Sequence, residues 1–322
     1  MNGRRFACLS LGIMLAGTAC TTTTDPLPTA PQRILAAEQQ LEAKQFDETL
    51  ATLDPIAKLL CPKRLRDRRD LIRAQALLGL GQPWQAFLAL EEFSALYPHS
   101  ELRSRAVDII WNAGKMLVES DGGFLFFWSD VRAGRTVLEH LVTRHPDTQR
   151  LADALRILGD MAFDNGNYEL AQDRYRDIIY SRPDSDWRFY AQFRLAMSLV
   201  ASLRGPDYDL SRMELAAGHL REFLSSKPEG PQMVEAATAA LVLVKQWQVQ
   251  RHVDIADFYK TLNSPAGQRY HLQLATRADF DKVPGYEQAL ERLKAFEAAN
   301  SAGNAAITDP RTDPATPPGG RP

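Results

Sequence analysis

Residues 155–183 read LRILGDMAFDNGNYELAQDRYRDIIYSRP, and the spacing inside this stretch decides the fold. Leu158 and Gly159 belong to one helical run, and Asp164, Asn165, Gly166 and Asn167 are turn formers. Tyr168, Ala171, Tyr175 and Ile178 then mark one face of a second helix, which Pro183 stops. Gly159 and Ala171 are small enough to let the two helices approach, while Tyr168 and Tyr175 fill the space beside that contact. A single helix pair buries too little apolar surface to stand alone, so the chain must supply neighbours.

Carrying the same offsets outward finds them. Ala171 lies twelve residues before Pro183, and Ala86, Leu90, Phe93 and Pro98 repeat that spacing, as do Gly134, Leu138, Leu141 and Pro146 and again Ala216, Leu220, Phe223 and Pro228. A degenerate copy opens the series with Thr49, Leu53 and Ile56, its Pro62 one residue late beside Cys61. The junctions agree: Tyr97-Pro98-His99-Ser100, His145-Pro146-Asp147-Thr148 and Arg182-Pro183-Asp184-Ser185 each stop a helix with proline, and the following hydroxyl is expected to cap the next one. The pattern resembles the tetratricopeptide repeat. It implies an all-α superhelix of about five helix-turn-helix repeats plus a capping helix.

The 322 residues are 45% hydrophobic and 24% charged, as in a soluble folded chain. A net charge of -2 gives no basic field to gather phosphates, which argues against nucleic acid as a partner.

The N-terminus is set apart from the fold. Arg4 and Arg5 precede an apolar run, and Gly17-Thr18-Ala19 precedes Cys20. Residues 1–19 look like a bacterial lipoprotein signal, with Cys20 the acylated first residue of the mature chain; the alternative is an ordinary secretory signal cut nearby. Without residues 1–19, 36 basic face 40 acidic residues, a net charge of -4, and Cys61 is left as a lone thiol, read as a buried or half-buried helix-end residue. Residues 20–31, with their three prolines, read as a tether whose reach is about 35 Å. The repeat domain is expected over residues 32–299 and a disordered tail over 300–322.

The template breaks in informative places. Residues 121–130, DGGFLFFWSD, read as an apolar loop between the helices of the third repeat. Phe124, Phe126, Phe127 and Trp128 in it are either a partner-binding knob or local core folded back on the array. Residues 203–210, LRGPDYDL, read as a second inter-helix loop. Beyond Pro228, residues 233–248 read as a helix that is apolar nearly all round and so deeply packed, with further helices at 253–262, 266–278 and 286–299.

Little in the chain suggests chemistry. The six histidines are scattered, and His140 and His145 are five apart, which on a helix separates their side chains, so no metal site is expected. No phosphate loop, nucleophile elbow or zinc-protease motif occurs, which points away from an enzyme and from a cofactor. The run PKRLRDRRD at 62–70 is either a solvated helix face or a contact for lipid headgroups or an acidic partner. Arg156 and Asp160 fall on the helix side that lines the groove of such arrays, where they either hold a peptide or serve solubility.

The lipoprotein signal, the repeats and the YPHS, HPDT and RPDS junctions together resemble the BamD family, lipoproteins of the outer-membrane β-barrel assembly machinery. Gly123-Phe124-Leu125-Phe126-Phe127 stands where that family carries a Gly-Phe-Phe insertion, and Gln268-Arg269-Tyr270 where it carries an Asn-Arg-aromatic triplet; the family's nearby proline is displaced here to Pro284. The resemblance implies a scaffold without catalysis on the periplasmic face of the outer membrane, held there by the lipid. It further implies Arg269 and Tyr270 as contacts to a BamA-like barrel protein, other assembly lipoproteins as partners, and unfolded outer-membrane proteins at the groove of the first repeats. A repeat adaptor lipoprotein for cell-wall or polysaccharide machinery is the alternative.

Overall fold

A computed structural model describes residues 29–56, 60–119 and 127–307. Cys20, Phe124 and Phe126 lie outside the described residues. The described chain is helical, with no strand. In order it runs α1 (Ala30–Glu42), α2 (Phe46–Leu53), α3 (Arg66–Gly79), α4 (Pro83–Leu90), α5 (Phe93–Leu96), α6 (Arg103–Glu119), α7 (Phe127–Arg144), α8 (Leu151–Asp164), α9 (Tyr168–Ser181), α10 (Arg188–Ser202), α11 (Leu210–Ser225), α12 (Pro231–Thr261), α13 (Pro265–Ala275) and α14 (Tyr286–Ile307). Each helix packs on the next, as an array of helix pairs requires: α1 on α2, α3 on α4, α6 on α7, α8 on α9, α10 on α11 and α12 on α13, with α14 against α12 and α13 at the end. No described helix is long and apolar enough to cross a membrane.

The repeated positions form the core. Thr49, Ala86, Gly134, Ala171 and Ala216 are all buried together with the two bulky residues that follow each, and Ala171, Tyr175 and Ile178 are 0% exposed. The helices of the fourth pair approach so closely that a Cβ on Gly159 would stand 2.8 Å from Cε1 of Tyr175. Between them Gly166 takes φ +74°, a left-handed conformation that costs glycine little, and Asn167 caps α9 by accepting the Leu170 N–H at 3.3 Å. Two large apolar clusters result, one around Leu71, Phe87 and Ile110 and one around Leu155, Tyr175 and Phe223; Val142 packs against both.

Several expectations are corrected. The junction hydroxyls act earlier than a cap. Ser100, Thr148 and Ser185 accept N–H groups of Leu102, Arg150 and Trp187, two residues on, and so close a turn ahead of helices that start at Arg103, Leu151 and Arg188. The third-repeat insertion is shorter than 121–130, because α7 already begins at Phe127 and its first turn takes in Trp128. The helices expected at 233–248 and 253–262 are one, α12. No glycine or proline interrupts residues 249–252, and Ala237, Ala240, Val244, Gln248, His252 and Ala256 make one unbroken buried stripe. Nor is its centre deeply packed all round, since Val242 and Leu243 are 42% and 39% exposed. The last helix continues past Asn300 to Ile307. The second loop is where the sequence puts it, between Ser202 and Leu210.

Candidate functional site

The basic run at 62–70 is divided: Lys63, Arg64 and Arg68 are exposed, while Arg66 and Asp67 are half-buried and Arg69 and Asp70 turn inward. Arg69 and Asp70 are buried against each other; Arg69 also donates to the Ile56 carbonyl at 3.3 Å, and Asp70 accepts the Tyr97 hydroxyl at 2.6 Å. Asp67 accepts the Ser100 hydroxyl at 2.6 Å, Arg66 donates to the Cys61 carbonyl at 2.9 Å, and Arg68 pairs with Glu38 on α1. These bonds tie the first pair to the second and the second to the junction before α6. Cys61 is buried among Ile34, Leu53 and Ile72, and that burial pushes its thiol pKa up, which keeps it protonated.

Arg156 and Asp160 likewise meet partners within the chain. Asp160 accepts the Tyr175 and Tyr190 hydroxyls, each at 2.7 Å, and Arg156 at 2.8 Å, with Arg194 at 3.5 Å. Arg156 lies 4.4 Å over the Trp187 ring, whose indole N–H donates to Asp153 at 2.7 Å, and Arg194 lies 3.9 Å over Phe163. Burial, and then the bond to Asp160, push Tyr190 up to about 12 and raise Tyr175 as well. Both phenols are therefore neutral donors at physiological pH, and the aspartate spends its lone pairs on them. This cluster joins α8, α9 and α10 mechanically and holds no group poised to move a proton.

The histidines hold a surprise. His140 and His145 are not separated: their ring centroids are 5.9 Å apart, because α7 ends at Arg144 and His145 folds back beyond it. Burial lowers the pKa of both. On α12 and α13, His252 and His271 face each other with Nδ1 atoms 3.2 Å apart, a hydrogen bond when both are neutral and one donates. Tyr259 stacks on His271 at 5.5 Å. Burial first, then the nearby His271 and Arg277, bring His252 down to about 4. Nineteen residues separate the pair, and only reading α12 as one continuous stripe would have found it. Among the described residues no group of three or more His, Cys, Asp or Glu is gathered to hold a metal.

Beside this pair, around the α12–α13 turn, several large apolar side chains are exposed. Phe258 and Leu262 at the end of α12 are 59% and 57% exposed, and Tyr270 on α13 is 58% exposed with its ring edge against His271 at 5.2 Å. Arg269 is exposed as well, with its guanidinium 3.8 Å from Glu297 on α14, too long and too wet to immobilise it. Of the residues the sequence singles out, Arg269 and Tyr270 are thus brought together on an open surface, while Arg156 and Asp160 are drawn into a half-buried network.

No protein-family model matches the chain, and no curated protein matches it. Among solved structures it is similar to the TPR domain of P58(IPK), known from a crystal structure at 2.5 Å, with 14% identity over 84% of this chain and 66% of that one and a TM-score of 0.27. The chain therefore spans just under two thirds of that neighbour, and the repeat fold is read from its own helix pairing: an all-α array of tetratricopeptide type.

Proposed function

We propose that the protein is a non-catalytic scaffold lipoprotein of the outer-membrane β-barrel assembly machinery, anchored through Cys20 and binding a BamA-like barrel subunit. The observation that carries the reading is the α12–α13 corner. Three large apolar side chains, Phe258, Leu262 and Tyr270, each stand more than half exposed beside the exposed cation Arg269. Aromatic residues and arginine are the side chains that dominate binding energy at protein interfaces. The Tyr259 ring stacked on His271, and the His271–His252 contact beside it, give that corner a firm base. The basis for the machinery itself is the family resemblance of the Gln268-Arg269-Tyr270 and Gly123–Phe127 segments. Unfolded barrel chains and other assembly lipoproteins are further partners on the same reading.

Gentle solubilisation of membranes followed by affinity recovery of the protein tests this. A barrel-assembly subunit is expected in the eluate, reduced severalfold or more by Arg269→Glu. Recovery of cell-wall synthesis enzymes without any such barrel protein would overturn the reading. A Cys20→Ala variant is expected in the soluble periplasmic fraction, and its retention in membranes would remove the anchor.

A further inference from the structure

A groove formed by the third and fourth helix pairs has walls built from α7 and α9 and a floor from α8. Its volume is about 760 Å³, within the roughly 300–1,000 Å³ range of ligand clefts. The floor is apolar, with Leu158 and Ala162 buried and Met161 half-buried, and the walls add half-buried Val131 and Leu170. The charges on its walls are unbalanced even without Arg132, with Arg135 and Arg174 against Glu139. Arg174 reaches Glu139 at 3.4 Å and bridges the two walls, yet its Nε is buried with no hydrogen-bond partner among the described residues. Arg135 is exposed and forms no ion pair among the described residues. At the lip, the turn between α8 and α9 offers two amides, each half used. Asn165 donates to the Met161 carbonyl through Nδ2, which leaves its Oδ1, and Asn167 accepts the Leu170 N–H through Oδ1, which leaves its Nδ2.

From this arrangement we infer that the groove takes an extended acidic peptide segment, its large apolar side chains on the α8 floor and a carboxylate on Arg135. The unequal charges select an anion. The two half-used amides select a peptide over a fatty acid, because a backbone brings one donor and one acceptor per residue and an alkyl chain brings neither. The inference rests on the chain being an interaction scaffold, but it concerns a different surface and a different occupant from the α12–α13 corner. A protein recovered with its barrel subunit but blind to such peptides would leave the proposed function standing and overturn only this inference.

The test is fluorescence anisotropy of a fluorescein-labelled ten-residue peptide alternating phenylalanine and glutamate, titrated with the full mature chain. Saturable binding in the micromolar range is expected. It should weaken about tenfold when lysine replaces glutamate in the peptide, and about tenfold for the acidic peptide with Arg135→Glu, which should bind the lysine peptide better than the native protein does. Arg135 is exposed, so circular dichroism should show that variant folded. Absence of saturable binding up to millimolar protein, or binding indifferent to Arg135→Glu, would overturn the inference. So would dodecanoate binding more tightly than the peptide, which assigns the groove to an acyl chain. Binding seen only after Phe124→Ser and Phe126→Ser would also overturn it, by assigning the groove to the chain's own segment.

Discussion

Replacing glycine by alanine inside a helix normally stabilises a protein by about 0.5–1 kcal/mol, since alanine loses less backbone entropy on folding. Two glycines of this chain should give opposite answers. Gly218, within α11, has no heavy atom within 4 Å of where a Cβ would stand, so Gly218→Ala should show that gain in full. At Gly159 the new methyl would stand 2.8, 3.0 and 3.1 Å from Cε1, Cζ and Cδ1 of Tyr175. The ring must retreat by about half an ångström to restore ordinary contact. It has nowhere to go: Tyr175 is 0% exposed and its hydroxyl is held by Asp160 at 2.7 Å and Arg194 at 3.0 Å. Overpacking of this kind costs about 1–3 kcal/mol. The helix gain is common to both variants, so the difference between them isolates the overpacking, again about 1–3 kcal/mol with Gly159→Ala the less stable. Urea unfolding followed by circular dichroism measures it, and hydrogen exchange of α8 and α9 amides localises it if the array melts in stages. Equal stabilisation by both substitutions would refute the claim that Gly159 is small in order to seat Tyr175.

Three further outcomes are expected. Asp160→Ala strands the Tyr175 and Tyr190 hydroxyls and weakens the hold on Arg194, and should cost roughly 2–4 kcal/mol in urea titrations, whereas Tyr190→Phe should cost about 1 kcal/mol. Asn167→Ala removes the α9 cap and should cost about 1 kcal/mol by the same assay. His252, depressed from 6.5 to about 4 in the folded chain, lets the unfolded chain take up its proton first. Stability present above pH 6.5 should therefore be lost as pH falls toward 4, by up to about 3 kcal/mol, and stability measured in steps across that window should lose much of its slope in His252→Gln.

The repeat register was open to reading because it depends on single residues at fixed offsets, and Ala86, Ala171 and Ala216 sit where small size alone is required. What stayed closed depends on partners far along the chain. Nothing local told that Arg68 would meet Glu38, or that Asp70 and Asp67 would meet Tyr97 and Ser100, so the inward-turned part of the run at 62–70 stayed hidden. The partners of Arg156 and Asp160 were hidden for the same reason, since Trp187, Tyr190 and Arg194 arrive from the next helix pair. The length of α12 was hidden by two polar residues, Gln248 and His252, inside its buried stripe. An apolar template sees a gap there, while the folded chain pairs Gln248 with Glu214 and His252 with His271.

That 31-residue helix has a consequence for how the array ends. At about 1.5 Å per residue it spans roughly 46 Å, so as the first helix of the α12–α13 pair it is long enough to pack along the pair before it as well. It touches α10 and α11 on one side and α13 and α14 on the other. Elsewhere in the chain a layer could in principle be spliced in or out at a turn, as in any modular stack. Here the final two layers share a single beam, so they should melt together and be inherited together. A gene duplication or deletion with a breakpoint between residues 237 and 256 would cut through buried side chains, which fixes the number of layers at this end of the molecule.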